Sequence, residues 1–151
     1  MIYLREVRPE DLRHIALNMR VWDKVELRAL NGVSPIRGLN LSVGCSMFSQ
    51  VAVSDGAPVA VFGLGEDGLN PYTETGVIWF LGTDAVTAYP REMLTVGRRF
   101  VDFGFSVFPV ITNLIHSGNA PALRFARHLL KHFKGSLEPE GIGQRLILRR
   151  E

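Results

Sequence analysis

Apolar and polar positions alternate over Tyr3-Leu4-Arg5-Glu6-Val7, which predicts a short first strand. From Pro9 the period changes. Leu12, Ile15, Ala16 and Met19 recur at helical spacing, and Pro9, Glu10 and Asp11 suit a first turn. There the missing proline N–H costs nothing and acids meet the positive end of the helix dipole. A second helix is expected over Trp22–Leu30, with Val25, Ala29 and Leu30 inward and Asn31-Gly32 closing it. Residues 32–46, punctuated by Gly, Ser and Pro, read as a loop with room for one short helical turn, and Cys45 within it as a small buried side chain.

Met47–Ser54 and Pro58–Leu64 flank Asp55-Gly56-Ala57, a strong hairpin signal. Glu66–Thr73 reads as a further turn, and the apolar run Gly76–Leu81 as a strand buried on both faces. After a loop over Gly82–Pro90, a helix is expected from Arg91 to Gly104, with Met93, Val96, Gly97, Phe100 and Phe103 inside. A strand follows at Val107–Ile115. Asn119 is placed to cap a helix with Pro121 in its first turn. That helix has the cleanest period in the chain: Ala122, Phe125, Ala126, Leu129, Leu130 and Phe133. Gly135 stops it, Glu138–Gly143 turns, and Arg145–Arg149 forms a last strand. Strands and helices in this order predict a mixed α/β domain around one central sheet.

At 151 residues the chain suits one domain, 1–151, and 46% hydrophobic content with mean hydropathy +0.12 is enough for a sizeable core. No apolar run reaches the roughly 18 residues of a membrane helix. The charged N-terminus has no apolar stretch of the secretory kind, so no signal peptide is expected. Cys45 stands alone, which leaves no intrachain disulfide and suits a reducing compartment. A soluble intracellular domain is the expectation. The net charge is only +2, but residues 119–151 carry seven Lys/Arg against three acids, leaving ten basic and twelve acidic residues elsewhere. Such a basic third suits a phosphate-bearing cofactor, a nucleic acid, an acidic protein, or simply water.

The element order and a few strings narrow the function. Trp79-Phe80-Leu81-Gly82-Thr83-Asp84, a helix, a strand containing Asn113, and Asn119-x3-Leu123-Arg124-Phe125 opening an amphipathic helix resemble the GNAT family of N-acetyltransferases. More narrowly they resemble GNAT-like proteins of tailed phages, some called acetyltransferases and others internal virion proteins. The resemblance implies a single GNAT-like domain with a mixed, mostly antiparallel sheet flanked by helices. It also implies acyl-CoA in the notch where the fourth and fifth strands splay, with pyrophosphate at the N-terminus of the helix that follows Trp79–Leu81. Unpaired N–H groups and the dipole favour an anion there.

Two departures stand out. Active members carry a loop of the form Arg/Gln-x-x-Gly-x-Gly/Ala, whose glycines let backbone approach phosphate. Here the stretch Gly82–Pro90 has no paired glycines and holds Asp84, so Arg91 would have to meet phosphate by side chain. Seven residues after Asn119, where the family often places a Tyr that protonates the CoA thiolate, stands Ala126. Such proton transfer contributes roughly 10²–10⁴-fold. Glu74 is the nearest carboxylate to the Trp79 strand and the candidate general base. Asn119 reads as a helix cap that could also touch the pantetheine arm. Asn113 reads as a buried amide that must be hydrogen-bonded, to structure or to cofactor.

Arg124, Arg127, His128 and Lys131 form a cationic stripe. It would be a solvated face or would contact nucleic-acid backbone or an acidic protein. His128 and His132 make half a zinc site with no further ligand at the right spacing, so no metal is expected. Gly63-x-Gly65-x-x-Gly68 matches the dinucleotide pattern but leads into a turn, not a helix. Two functions fit. One is a virion-associated phage component with vestigial chemistry, in the particle or the host cytoplasm, bound to other virion proteins or to DNA. The other is an active acetyl-CoA-dependent N-acetyltransferase acting on a small-molecule or protein amine.

Overall fold

A computed structural model describes residues 1–67 and 74–151. Its strands are β1 (Tyr3–Arg5), β2 (Phe48–Ser54), β3 (Ala57–Glu66), β4 (Thr75–Gly82), β5 (Val110–His116), β6 (Lys134–Glu140) and β7 (Gly143–Arg149). They form one seven-stranded sheet in the order β1-β2-β3-β4-β5-β7-β6. The β1–β2, β2–β3, β5–β7 and β6–β7 pairs are antiparallel, and β4–β5 is parallel. The helices are α1 (Pro9–Leu17), α2 (Val21–Glu26), α3 (Pro35–Cys45), α4 (Pro90–Phe105) and α5 (Ala120–Leu130). Among the described residues no helix is long and apolar enough to cross a membrane. The expected turn at Glu66–Thr73 and the last glycine of the dinucleotide-like string fall largely on residues 68–73, outside the described part.

Two compact units divide the chain: Met1–Leu64 with Trp79–Met93, and Gly65–Ile78 with Leu94–Glu151. In the first, Leu12, Ile15 and Met19 of the α1 stripe meet Val51, Val53, Val61 and Leu81 of the strands, as the spacing predicts. Within residues 32–46, read as a loop, Pro35–Cys45 form a helix. Ser34 accepts a hydrogen bond from the Arg37 N–H and Pro35 follows it, a sound helix start. Gly38, read as a breaker, is where Leu27 packs: a Cβ there would lie 2.8 Å from a Leu27 methyl. Leu39 is fully buried beside it, while Cys45, expected inside, is exposed at the helix end.

The second helical stretch is also rotated from expectation. It breaks into α2 and a π-turn over Leu27–Asn31, closed by Gly32 at φ 67°. Asp23 and Leu27 face inward, whereas Val25 and Ala29 are exposed. The reason is polar: Asp23 is drawn in by partners described below.

In the second unit, Leu123, Ala126 and Leu129 of α5 are buried, and the Phe105 and Phe133 rings meet edge-on at 5.7 Å. Gly97 of α4 makes room for the Phe125 ring, which a Cβ would strike. Phe103 is 40% exposed, because Phe100, Val101 and Phe105 take the inner face. The segment after Gly135 extends the sheet: β6 pairs with β7 from Lys134↔Arg149 to Glu140↔Gly143. Alternation over Ser136–Pro139 is too polar to have signalled this edge strand.

Candidate functional site

β4 is the strand the sequence reading singled out, and its two ends behave differently. At its start, Thr75, Gly76 and Val77 pair with Val110, Ile111 and Thr112 of β5, and the ladder ends there. β4 itself continues to Gly82. Most of it is half-buried and not covered on both faces as expected.

At its far end, the Thr83 N–H donates to the Val59 carbonyl of β3 at 2.9 Å. Successive residues of a strand aim their N–H groups at opposite edges. Gly82 therefore presents its N–H and C=O to the edge away from β3. Both groups are taken by the chain itself. The Gly82 N–H donates to Asp23 Oδ2 at 2.9 Å, and the Arg20 N–H donates to the Gly82 carbonyl at 2.9 Å. Met19 bridges Thr83 alongside. Asp23, 2% exposed, also accepts from Arg20 Nε at 3.0 Å and Nη2 at 3.2 Å, and the Arg20 guanidinium stands 5.3 Å from the Phe80 ring centroid. A buried carboxylate needs such company. Sequence reasoning missed this cluster; Arg20-x-x-Asp23 was readable only as an ordinary helical ion pair.

Beyond β4, Asp84–Ala88 winds into a 3₁₀ turn instead of an open glycine loop. The Thr83 hydroxyl accepts from the Ala85 N–H at 3.3 Å and donates to the Val59 carbonyl at 3.0 Å, and Val86 is buried. α4 starts at Pro90, with Arg91 exposed in its first turn and Glu92 accepting from the Ile2 N–H at 2.6 Å.

The remaining candidates lie in the second unit. Glu74 is exposed just before β4. Asn119 is fully buried and caps α5, accepting from the Ala122 N–H at 3.3 Å. Asn113 corrects an expectation: it is half-buried, and its side chain makes no hydrogen bond among the described residues. It shares its face of β5 with buried Ile111 and Ile115, while Thr112, on the opposite face, donates to the Leu146 carbonyl at 2.9 Å. Ala126, where the resemblance looks for an acid, is 2% exposed in the core. His128 leaves the cationic stripe. Its ring is half-buried, 4.9 Å from that of His132, while Arg124, Arg127 and Lys131 are exposed. Burial first, then the positive charges of His132, Arg98 and Lys131, hold the His128 pKa below its ordinary value. Among the described residues no cluster of three metal-ligating side chains occurs.

No protein-family model matches the sequence, and no curated protein matches it. Solved structures do match over its whole length. A Pyrococcus horikoshii protein is 15% identical at a TM-score of 0.70, covering 100% of this chain and 99% of its own. An Agrobacterium tumefaciens acetyltransferase is 12% identical at 0.69, covering 99% and 91%. The PaiA N-acetyltransferase of Thermoplasma acidophilum, solved with coenzyme A, is 11% identical at 0.63, covering 99% of each chain. By strand order, helix placement and these likenesses, the chain has the GNAT acetyltransferase fold.

Proposed function

We propose that this chain is a GNAT-fold protein whose acyl-transfer chemistry is vestigial and which serves as a structural component, packaged with or attached to a tailed-phage particle. The bonding of Gly82 carries the first half of this reading. Acyl-CoA in this fold needs an open strand edge for its pantetheine arm and a loop of free N–H groups for its phosphates. Here the Gly82 edge is bonded to Arg20 and Asp23, and the next turn is closed on Thr83. An edge bonded at Gly82 and a closed following turn are poorly suited to a pantetheine arm and its phosphates. Burial of Ala126 where an acid would stand supports the same reading. The particle and host-cytoplasm assignment rests on the sequence resemblance alone.

A thermal melt with saturating acetyl-CoA tests it. Ligand at about 100 times its dissociation constant adds roughly 2.7 kcal/mol, a rise of about 5–10 °C for a domain near this size. The expected result is no rise at millimolar acetyl-CoA. Purified particles should contain the chain at fixed stoichiometry, and its absence from them would remove the structural role.

The second reading, an acetyl-CoA-dependent N-acetyltransferase, is favoured by the early end of the β4–β5 ladder and by the uncommitted Asn113 amide. It assigns Arg91 to phosphate, Asn113 and Asn119 to the pantetheine arm, and Glu74 to the base. Release of CoA thiol in the presence of some amine would establish it.

A further inference from the structure

From Phe103 to Leu137 the sequence carries no Asp or Glu. α5 lies inside this stretch. It buries Leu123, Ala126 and Leu129 and turns Arg124 and Arg127 to solvent, with exposed Lys131 capping its end. Their spacing of three and four residues keeps them on one side of the helix. Arg124, Arg127, Lys131 and Arg98 of α4 pair with no carboxylate among the described residues. Arg98 Nη1 instead approaches His132 Nε2 at 3.4 Å, and His128 Nε2 is buried without a hydrogen-bond partner among the described residues. Cations are therefore grouped here without an ion pair among the described residues, an arrangement that an external anion relieves.

We propose that the exposed face of α5, with Arg98 beside it, binds the phosphate backbone of duplex nucleic acid without regard to sequence. The choice of partner follows from what the face lacks. A protein interface is built around a desolvated apolar or aromatic centre. Among the described residues α5 exposes no large apolar side chain. Single-strand binders need exposed aromatic platforms, and α5 presents none. What is left is charge dominated by arginine, whose planar fork suits phosphate oxygens. Binding of this kind draws its free energy from counterion release and weakens steeply with salt.

The test is fluorescence anisotropy of a short labelled duplex with the full chain, titrated from about 50 to 200 mM salt. Binding is expected at the low end, indifferent to base sequence. The triple variant Arg124→Gln, Arg127→Gln, Lys131→Gln should weaken it roughly tenfold or more and reduce the slope of log K against log salt by about 2.7, three phosphates at 0.9 each. These side chains are exposed, so an unchanged melting temperature verifies the fold. Absence of binding at low salt overturns the proposal, and so does a slope the triple variant leaves unchanged. Poly-glutamate of equal charge should compete far less well than unlabelled duplex; equal competition would identify an acidic protein as the partner instead. None of these readouts involves Gly82 or acetyl-CoA, so this proposal and the preceding one fail separately.

Discussion

Asp11 and Asp23 are near twins in burial, each 2% exposed, and each is gripped by two nitrogens of one arginine. They differ in the third bond. Asp11 accepts from the Arg8 N–H at 2.8 Å, three residues away, and so secures the start of its own helix. Asp23 accepts from the Gly82 N–H, 59 residues away, and so ties the α1–α2 connection to the end of a central strand. The first is a local device that an isolated segment could form. The second exists only once the unit has folded, and it occupies the Gly82 N–H.

Breaking the second should therefore cost more. Asp23→Ala strands the Arg20 guanidinium and the Gly82 N–H together, and removal of one member of a buried pair costs about 3–5 kcal/mol. At about 2–4 °C per kcal/mol, the melting temperature should fall by roughly 10 °C. Asp23→Asn, which keeps an acceptor for Gly82, should cost less, and the Gly82 amide should exchange slowly in the native chain but quickly in Asp23→Ala. A loss for Asp23→Ala no larger than that for Asp11→Ala would break the comparison.

Asp11→Ala should cost about 2 kcal/mol, since the Arg8 N–H lies at a helix end where water can replace the carboxylate. Here pH gives a second handle. Burial alone would raise the Asp11 pKa, but the Arg5 side chain and Arg8 N–H outweigh it and hold it below the ordinary value. A carboxyl depressed in the fold stabilises above its unfolded pKa, about 3.9, and that contribution disappears as pH falls through the folded value. Native chain and Asp11→Asn should therefore converge in stability on the acid side. Parallel curves would mean that the Arg5–Asp11 pair adds nothing.

This contrast also explains what could be read from sequence. α1, α5 and the β2–β3 hairpin announced themselves because period, cap and turn residues agreed over a few positions: Pro9 with Asp11, Asn119 with Pro121, Asp55 with Gly56. α3 was illegible because Gly38 is there for Leu27, a contact no local pattern encodes. The inward face of α2 was misjudged because a charged residue, Asp23, takes the place of Val25 and is drawn in by a strand far along the chain. The missing glycine loop and Ala126 were visible as absences. What fills the Gly82 edge was not. Of the candidate residues, Asn119 shows its capping role directly, whereas Asn113 stands half-buried on the β5 face it shares with buried Ile111 and Ile115, a position that periodicity gives but whose polar role it does not.

A smaller effect separates a cap from a ligand contact. Asn119→Ala removes the acceptor for the Ala122 N–H and should cost about 1–2 kcal/mol, whereas Asn119→Ser or Asn119→Asp keeps most of it. Asn113→Ala, with no side-chain bond to lose among the described residues, should change the melting temperature by no more than a degree or two. A large loss at Asn113 would mean that its amide is structural.

The smallest expected effect lies at His128, and its sign runs against the usual behaviour of a histidine that gains a partner. With the folded pKa depressed, the native state resists the proton that the unfolded chain accepts near pH 6.5. Protons then bind more to the unfolded chain, so stability is intact above about pH 6.5 and declines as pH falls from there towards the folded value. Asp11 titrates well below this range, so the two limbs do not overlap. His128→Leu removes both the titration and the buried Nε2 that has no hydrogen-bond partner among the described residues. It should stabilise by about 1 kcal/mol or less at neutral pH, and its advantage should widen as pH falls below about 6.5. Duplex nucleic acid on α5 should narrow that widening, because bound phosphate offsets the charges of Arg98 and Lys131 that oppose protonation of His128. An advantage of the leucine variant that stays constant across this pH range, with or without the duplex, would mean that the crowding of positive charge around His128 has no energetic weight.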